Sequence, residues 1–221
     1  MSYTKLNIRE ALISGFRTIA QNPIMFLVAV PSSLLTTMFA YSGDNFILAG
    51  FAVFVLSFVF LIQTKIAYDS FSGGIDLEAT PLFAIRKFFP FLGIGILYGL
   101  IVAVGTVFLI LPGFFLSIKL FYAQYFLLLE DQKMIESLKS SWRLTQGNWW
   151  RAFGLFLALY LFSFFATIFQ TTLLGISGMI FVFIVNVIMS SWSAASFVQA
   201  FMQLKGPNND CFYDQTELYN Q

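Results

Sequence analysis

Lys119 is the residue that most needs a chemical explanation, because it lies inside a long apolar stretch of the chain. An ionisable side chain inside a membrane is a functional candidate by default. The equally weighted alternative is that its long stem carries the charge out to the membrane surface or caps a buried polar group. A helix starting at Pro112 would place Lys119 about 10 Å from the predicted outer turn, where Asp44 is a candidate partner.

Two further groups have helical spacing inside apolar stretches. The polar group is spaced at i, i+4 and i+7, which places its members on one helix face: Asn186, Ser190 and Ser193. The ridge of small residues is Gly95, Gly99 and Ala103. Small and amide side chains let transmembrane helices approach and hydrogen-bond, so we predict a packing role for both groups.

An acid, a serine and an arginine form the same stripe twice: Glu10, Ser14 and Arg17, then Glu136, Ser140 and Arg143. The predicted apolar faces beside them are Ile8, Leu12, Phe16 and Ile19, then Met134, Leu138 and Trp142. This periodicity predicts amphipathic helices along the inner membrane surface. We favour a structural role, in which each stripe fixes an elbow between surface helix and span. The alternative is that the two elbows frame a cytoplasmic site.

Other chemistry is excluded by residue type. The chain has no histidine and a single cysteine, Cys211, which rules out His-ligated metals and Ser-His or Cys-His catalysis. Glu130 and Asp131 are adjacent, so they point in different directions on a helix. We therefore predict no catalytic residue, no metal site and no cofactor. The net charge of +1 gives no reason to expect nucleic-acid binding.

Composition identifies the class of protein. Hydrophobic residues make up 58% and charged residues 10% of the chain, whereas soluble domains carry roughly a quarter charged residues. We predict an all-α integral membrane fold in which about 20 apolar residues form each span. The six predicted spans are 23–40, 46–68, 89–111, 114–129, 149–169 and 175–200.

The connections between spans complete this prediction. Pro112 and Gly113 are expected to form a tight reversal. Surface helices are expected before the first and fifth spans, with a weaker copy at 82–88 before the third. The two stripes make spans one and two a parallel repeat of spans five and six. Residues 1–205 are predicted to form one domain, and 206–221 a disordered polar tail.

Lysine and arginine set the predicted orientation. They flank the N-terminal side of the first span, the second-to-third and fourth-to-fifth connections, and the tail, while the opposite loops carry none. Cytoplasmic loops are enriched in these residues. Both termini are therefore predicted to be cytoplasmic, with the lipid bilayer as the main partner.

Residues 111–156 resemble a known family. They contain Leu111-Pro112-Gly113, a basic residue in the following span, and the run from Glu136 through Arg143 to Trp149-Trp150. This pattern is similar to the six-span membrane-domain family attached to some glycerophosphoryl diester phosphodiesterases and found alone in prokaryotes. The resemblance implies a prokaryotic cell-membrane module. The phosphodiesterase activity of those relatives lies in a separate soluble domain, so no catalytic residue carries over.

Three functions remain open. The first is a non-enzymatic membrane module that scaffolds a protein partner or forms a homo-oligomer. The second is a small transporter or channel for an anion or lipid, for which Lys119 and Asn186 are the candidate residues. The third and least favoured is a membrane-embedded enzyme, because no acid–base set is visible. A hollow rather than a packed bundle centre would favour the second function.

Overall fold

A computed structural model describes residues 5–42, 46–108, 110–171 and 176–206. Within these ranges the chain forms helices and no strand. The helices are α1 (Ile8–Gln21), α2 (Ile24–Ser42), α3 (Phe46–Ser72), α4 (Ala79–Phe108), α5 (Ile110–Leu120), α6 (Ala123–Leu129), α7 (Met134–Leu144), α8 (Trp149–Thr171) and α9 (Ile176–Lys205). The predicted outer turn with Asp44, and the tail beyond Gly206, lie outside the described residues.

Several helices are long and apolar enough to cross a bilayer. In the described residues these are Gly50–Ser72, Ala79–Phe108, Ile110–Leu129 and Gly178–Lys205. The bent pair Ile8–Gln21 and Ile24–Thr37 adds a fifth candidate, and its two helices meet at 99°. The remaining apolar helix, Trp149–Phe165, is shorter. The protein is therefore a helical, membrane-embedded chain with four or five candidate spans, and the six-span count stays a prediction.

The weaker surface helix predicted at 82–88 does not exist as a separate element. Those residues belong to α4, which runs from Ala79 to Phe108 without interruption. Pro90 lies inside this helix, and proline is tolerated in membrane helices because neighbouring groups satisfy the carbonyl that it leaves free. The local charges Arg86 and Lys87 therefore mark the first turns of a long helix rather than a surface segment.

The reversal predicted at Pro112-Gly113 is also wrong. Both residues lie inside α5, close to its first turn, where proline is accepted because no intrahelical bond needs its N–H. Gly113 is needed for close packing instead. A Cβ atom at Gly113 would lie 2.6 Å from the backbone nitrogen of Thr106 on α4, and a Cβ at Gly105 would lie 3.1 Å from the Cα of Gly113. These two glycines let the backbones of α4 and α5 touch.

The fourth predicted span is divided in the structure. α5 ends at Leu120 and α6 begins at Ala123, with a turn at Phe121 and Tyr122. The carbonyl of Tyr122 accepts from the backbone N–H groups of Tyr125 (3.0 Å) and Phe126 (3.2 Å), which starts α6. The two helices together still form one candidate span, Ile110–Leu129.

The packed face of α1 combines small residues with part of the predicted apolar face, since Ile19 is buried and Ile8 and Leu12 pack against the core. Ala11, Gly15, Thr18 and Ile19 are buried, whereas Phe16 is 59% exposed. A Cβ at Gly15 would lie 2.9 Å from the backbone nitrogen of Ser196, so α1 rests directly on α9. On α7, Ser137, Ser141 and Leu144 are buried, Leu138 of the predicted apolar face packs against the core, and Trp142 is exposed.

Ion pairs connect the predicted cytoplasmic segments to each other. Lys87 near the start of α4 pairs with Asp131 after α6, and Lys205 at the end of α9 pairs with Glu130. The adjacent acids of the α6–α7 turn are therefore held by lysines from two other helices. This brings the second-to-third connection, the fourth-to-fifth connection and the end of α9 to one end of the bundle.

Candidate functional site

A recess open to the protein surface lies among the helices of the bundle. A cavity of about 550 Å³ lies between α2, α3, α8 and α9, with Phe121 and Tyr125 contributing from the α5–α6 segment. We call it the bundle cavity. Its polar lining residues are Ser32, Ser33, Thr36, Gln63, Tyr125, Tyr160, Ser163, Asn186, Ser190 and Ser193. Its apolar lining residues are Leu56, Val59, Phe60, Phe121, Phe156, Leu159, Met189, Ala194 and Phe197.

None of these lining side chains carries a formal charge. An ion entering the bundle cavity would lose its hydration without meeting an opposite charge, which is costly in a low-dielectric interior. The geometry therefore disfavours an anion or a metal ion. Among the described residues there is also no group of three or more His, Cys, Asp or Glu side chains able to hold a metal.

Gln63 joins three helices beside the bundle cavity. Its side-chain oxygen accepts from the hydroxyl of Ser190 at 3.0 Å, and its amide nitrogen donates to the hydroxyl of Ser191 at 3.3 Å. The same amide nitrogen lies 3.5 Å from the carbonyl oxygen of Met25 on α2. Gln63 is 2% exposed, so its donors and acceptor serve the protein itself. It holds α2, α3 and α9 in register around the bundle cavity.

Aromatic rings form one side of the bundle cavity. The ring of Phe121 lies 4.4 Å from that of Phe156 and 4.7 Å from that of Phe197, measured between centroids. The rings of Phe156 and Phe197 are also 4.7 Å apart. Such clusters present a rigid apolar surface at low entropic cost. The bundle cavity therefore has a hydroxyl-bearing wall and an aromatic wall, which suits a ligand with a polar and an apolar end.

The bundle cavity reaches the surface of the protein. Its lining residue Leu56 on α3 is 37% exposed, and Tyr160 on α8 is 70% exposed. These two residues lie near the middle of the predicted second and fifth spans. In the predicted six-span arrangement, an opening at that position would face the acyl chains of the bilayer.

The predicted stripe Asn186, Ser190 and Ser193 lies on the wall of the bundle cavity. Ser190 does make an interhelical hydrogen bond, to Gln63, as the packing interpretation expects. All three side chains nevertheless border the open volume, so packing alone does not describe their position. The predicted packing role of the small-residue ridge finds no contact within the chain. A Cβ added at Gly95 or Gly99 would have no atom within 4 Å.

Lys119 is not part of the bundle cavity. It is 6% exposed, and its Nζ lies 5.7 Å from the ring centroid of Phe115 and 5.2 Å from that of Trp142 on α7. A cation held over two aromatic faces is stabilised by their quadrupoles. The Lys119 carbonyl also accepts from the hydroxyl of Ser141 at 2.8 Å. The residue thus joins α5 to α7.

The two acid–serine–arginine stripes are largely exposed. The Ser14 hydroxyl donates to the carbonyl of Glu10 at 2.6 Å, within its own helix. A depression beside this stripe is lined by α1 residues and Asn7, and includes Arg9, Glu10 and Arg17. Glu136 and Arg143 are exposed and Ser140 is half-buried on α7. The described contacts place α1 against α9 and α7 against α6, and the stripes do not line a common depression.

Sequence reasoning missed most of the bundle cavity. Gln63 was not singled out, nor were Ser33 and Tyr125. A weak signal existed for two of them, because Gln63 is an amide inside an apolar segment and Ser33 belongs to a hydroxyl-rich stretch of α2. No signal in one sequence shows that these helices face each other.

A family model matches most of the chain. Residues 32–207 match the model of a domain of unknown function, DUF7847. The chain belongs to this family. The matched range contains every lining residue of the bundle cavity, whereas α1 lies outside it. Comparison with curated proteins gave no match, and comparison with solved structures gave none.

Proposed function

We propose that this protein is a non-enzymatic membrane module that binds a lipid-like molecule inside its helix bundle. The observation that supports the proposal is the bundle cavity, an uncharged, partly aromatic space that opens at Leu56 and Tyr160. A bundle that served only as a scaffold would gain stability from filling this volume, since packing defects cost free energy. Of the two ligands considered for a transporter, a lipid fits the bundle cavity and an anion does not.

The proposed setting is a cell membrane, with six spans and both termini in the cytoplasm. Support for a common inner side comes from the Lys87–Asp131 and Lys205–Glu130 pairs, which join segments rich in lysine and arginine. The resemblance to the membrane domain attached to glycerophosphoryl diester phosphodiesterases fits a role beside lipid chemistry that another domain or protein performs.

Two buried tyrosines offer a matched test of lipid entry. Tyr125 and Tyr122 are both 0% exposed, but only Tyr125 lines the bundle cavity. Cells expressing the protein are fed a fatty acid that carries a photoactivatable diazirine, irradiated, and the crosslinked peptides are mapped by mass spectrometry. We expect crosslinks at Tyr125 and none at Tyr122, because a chain reaches Tyr125 only through the cavity. Labelling of the exposed face of α4 without Tyr125 would contradict the proposal.

Association with a second copy is an independent candidate function, favoured by the exposed ridge on α4. Gly95, Gly99 and Ala103 are exposed, and only 6% of the most apolar window of α4 is buried. Small residues on a lipid-facing helix allow another helix to approach closely. We therefore expect dimers in lipid nanodiscs by single-molecule photobleaching.

The dimer prediction has a matched pair of variants. Gly99→Leu blocks the ridge and is expected to shift the population to monomers. Gly50→Leu, at an exposed glycine of α3 with nothing within 4 Å, is expected to leave the dimers intact. A monomeric wild-type protein, or equal behaviour of the two variants, would remove this candidate function.

A further inference from the structure

The hydroxyl groups around the bundle cavity differ in whether their hydrogen is still free to bond to a ligand. Ser32 donates to the carbonyl of Ala29 at 2.8 Å and Thr36 to that of Ser32 at 3.0 Å. Ser193 donates to the carbonyl of Ser190 at 3.1 Å. A hydroxyl has one donor and two acceptor lone pairs. Because these hydrogens are already engaged, the three groups present lone pairs only, which repel an anion.

Two other hydroxyls are unengaged. Ser33 is 1% exposed and Tyr125 is 0% exposed, and neither side-chain oxygen has a hydrogen-bond partner in the described part of the chain. A buried polar group without a partner costs about 1–3 kcal/mol. Both residues line the bundle cavity. A ligand group that accepts from them would remove this cost.

Together the wall offers many acceptors and two free hydroxyls. The ligand group that complements it both donates and accepts, and carries no charge. An alcohol does this, whereas a phosphate is an anion and a quaternary ammonium is a cation that offers no hydrogen bond. Since no lining residue is charged, neither ionic headgroup would be neutralised there.

From this pattern we propose that the bundle cavity selects a lipid with an uncharged hydroxyl headgroup, of the diacylglycerol class, over an anionic lipid with the same chains. The inference rests on the proposed function, lipid binding in the bundle cavity. The headgroup hydroxyl would lie at Ser33 and Tyr125. The acyl chains would lie along Phe121, Phe156 and Phe197 and leave through the opening at Leu56 and Tyr160.

A competition experiment tests the selectivity. Purified protein in nanodiscs is photolabelled with a diacylglycerol that carries a diazirine on one acyl chain, and labelling of Tyr125 is read by mass spectrometry while one competitor lipid is titrated. The competitors share two oleoyl chains: dioleoylglycerol, its O-methyl ether, and phosphatidic acid. We expect dioleoylglycerol to displace the probe at a mole fraction about tenfold lower than phosphatidic acid does, equivalent to about 1.4 kcal/mol. The ether, which cannot donate, should fall between them.

The outcomes separate this inference from the proposed function. Displacement by phosphatidic acid equal to or stronger than that by dioleoylglycerol overturns the selectivity but leaves lipid binding intact. Absence of Tyr125 labelling, with or without competitors, overturns the proposed function itself. Equal displacement by all three lipids also overturns the inference, because it would show that the headgroup is not recognised.

A conservative variant tests the assigned position of the headgroup. Ser33→Ala removes one free hydroxyl without adding volume, and we expect it to weaken competition by dioleoylglycerol and by its O-methyl ether several-fold, because the oxygen of either can accept from Ser33. Ser57→Ala is the matched control, because Ser57 donates to the carbonyl of Val53 on α3 and does not line the bundle cavity. Dioleoylglycerol competition in Ser33→Ala that equals that in Ser57→Ala would contradict the assignment.

Discussion

Substituting Ser193 by phenylalanine is expected to abolish labelling of Tyr125 by the photoactivatable diacylglycerol. Ser193 lies on the wall of the bundle cavity, so a phenyl ring there would fill the volume that the lipid occupies. We expect the apparent affinity for the probe to fall at least about tenfold, or about 1.4 kcal/mol. The measurement is the crosslinked fraction of the Tyr125 peptide in nanodiscs of fixed lipid composition.

Ser117→Phe controls for the added ring. Ser117 makes the same kind of local bond as Ser193, donating to the carbonyl of Phe114 at 2.7 Å, but it lies on α5 outside the bundle cavity. Labelling should persist in this variant. Both variants must run as folded protein on gel filtration with similar melting temperatures. Undiminished labelling in folded Ser193→Phe would show that the probe does not enter at this wall.

Gly113→Ala is expected to destabilise the protein although alanine is the better helix former. The propensity gain is at most about 1 kcal/mol. A steric overlap opposes this gain. The added Cβ would lie 2.6 Å from the backbone nitrogen of Thr106 and 2.7 Å from its Cα. Backbone atoms cannot rotate away, so α4 and α5 must separate, and overpacking of this kind costs about 1–3 kcal/mol. We expect a lower midpoint of thermal unfolding in detergent, followed by tryptophan fluorescence.

Gly50→Ala is the matched control for that prediction. Gly50 is exposed on α3, and a methyl group added there would have nothing within 4 Å, so alanine should be neutral or slightly stabilising. The difference in melting temperature between the two variants isolates the contact between α4 and α5. A Gly113→Ala protein as stable as Gly50→Ala would show that the two helices do not touch at this point.

The helices themselves were largely predictable because apolar length is a local property. Each of the six predicted spans falls mainly on helical residues, and the amphipathic period of α1 and α7 was visible. The predictions were wrong where the same short sequence pattern is compatible with two local structures. Pro112 and Gly113 fit equally well a reversal or the first turn of a helix followed by a close contact, and only α4 beside them decides which is present.

The bundle cavity was less predictable than the helices. The stripe of Asn186, Ser190 and Ser193 was visible as one helix face, but its neighbours Gln63 and Ser33 lie far away in the chain. Periodicity gives the face of a helix and not the partner of that face. Lys119 shows the same limit, because the sequence alone did not reveal the aromatic rings of Phe115 and Trp142 beside it.

The most direct test of a hollow, lipid-binding bundle is a cryo-electron microscopy map of the protein in lipid nanodiscs, with a bound antibody fragment to add mass. We predict elongated density between α2, α3, α8 and α9, with one end beside Ser33 and Tyr125 and the other at the opening near Tyr160. A map in which side chains of α2 and α8 meet and fill that space, leaving no room for a ligand, would contradict the account.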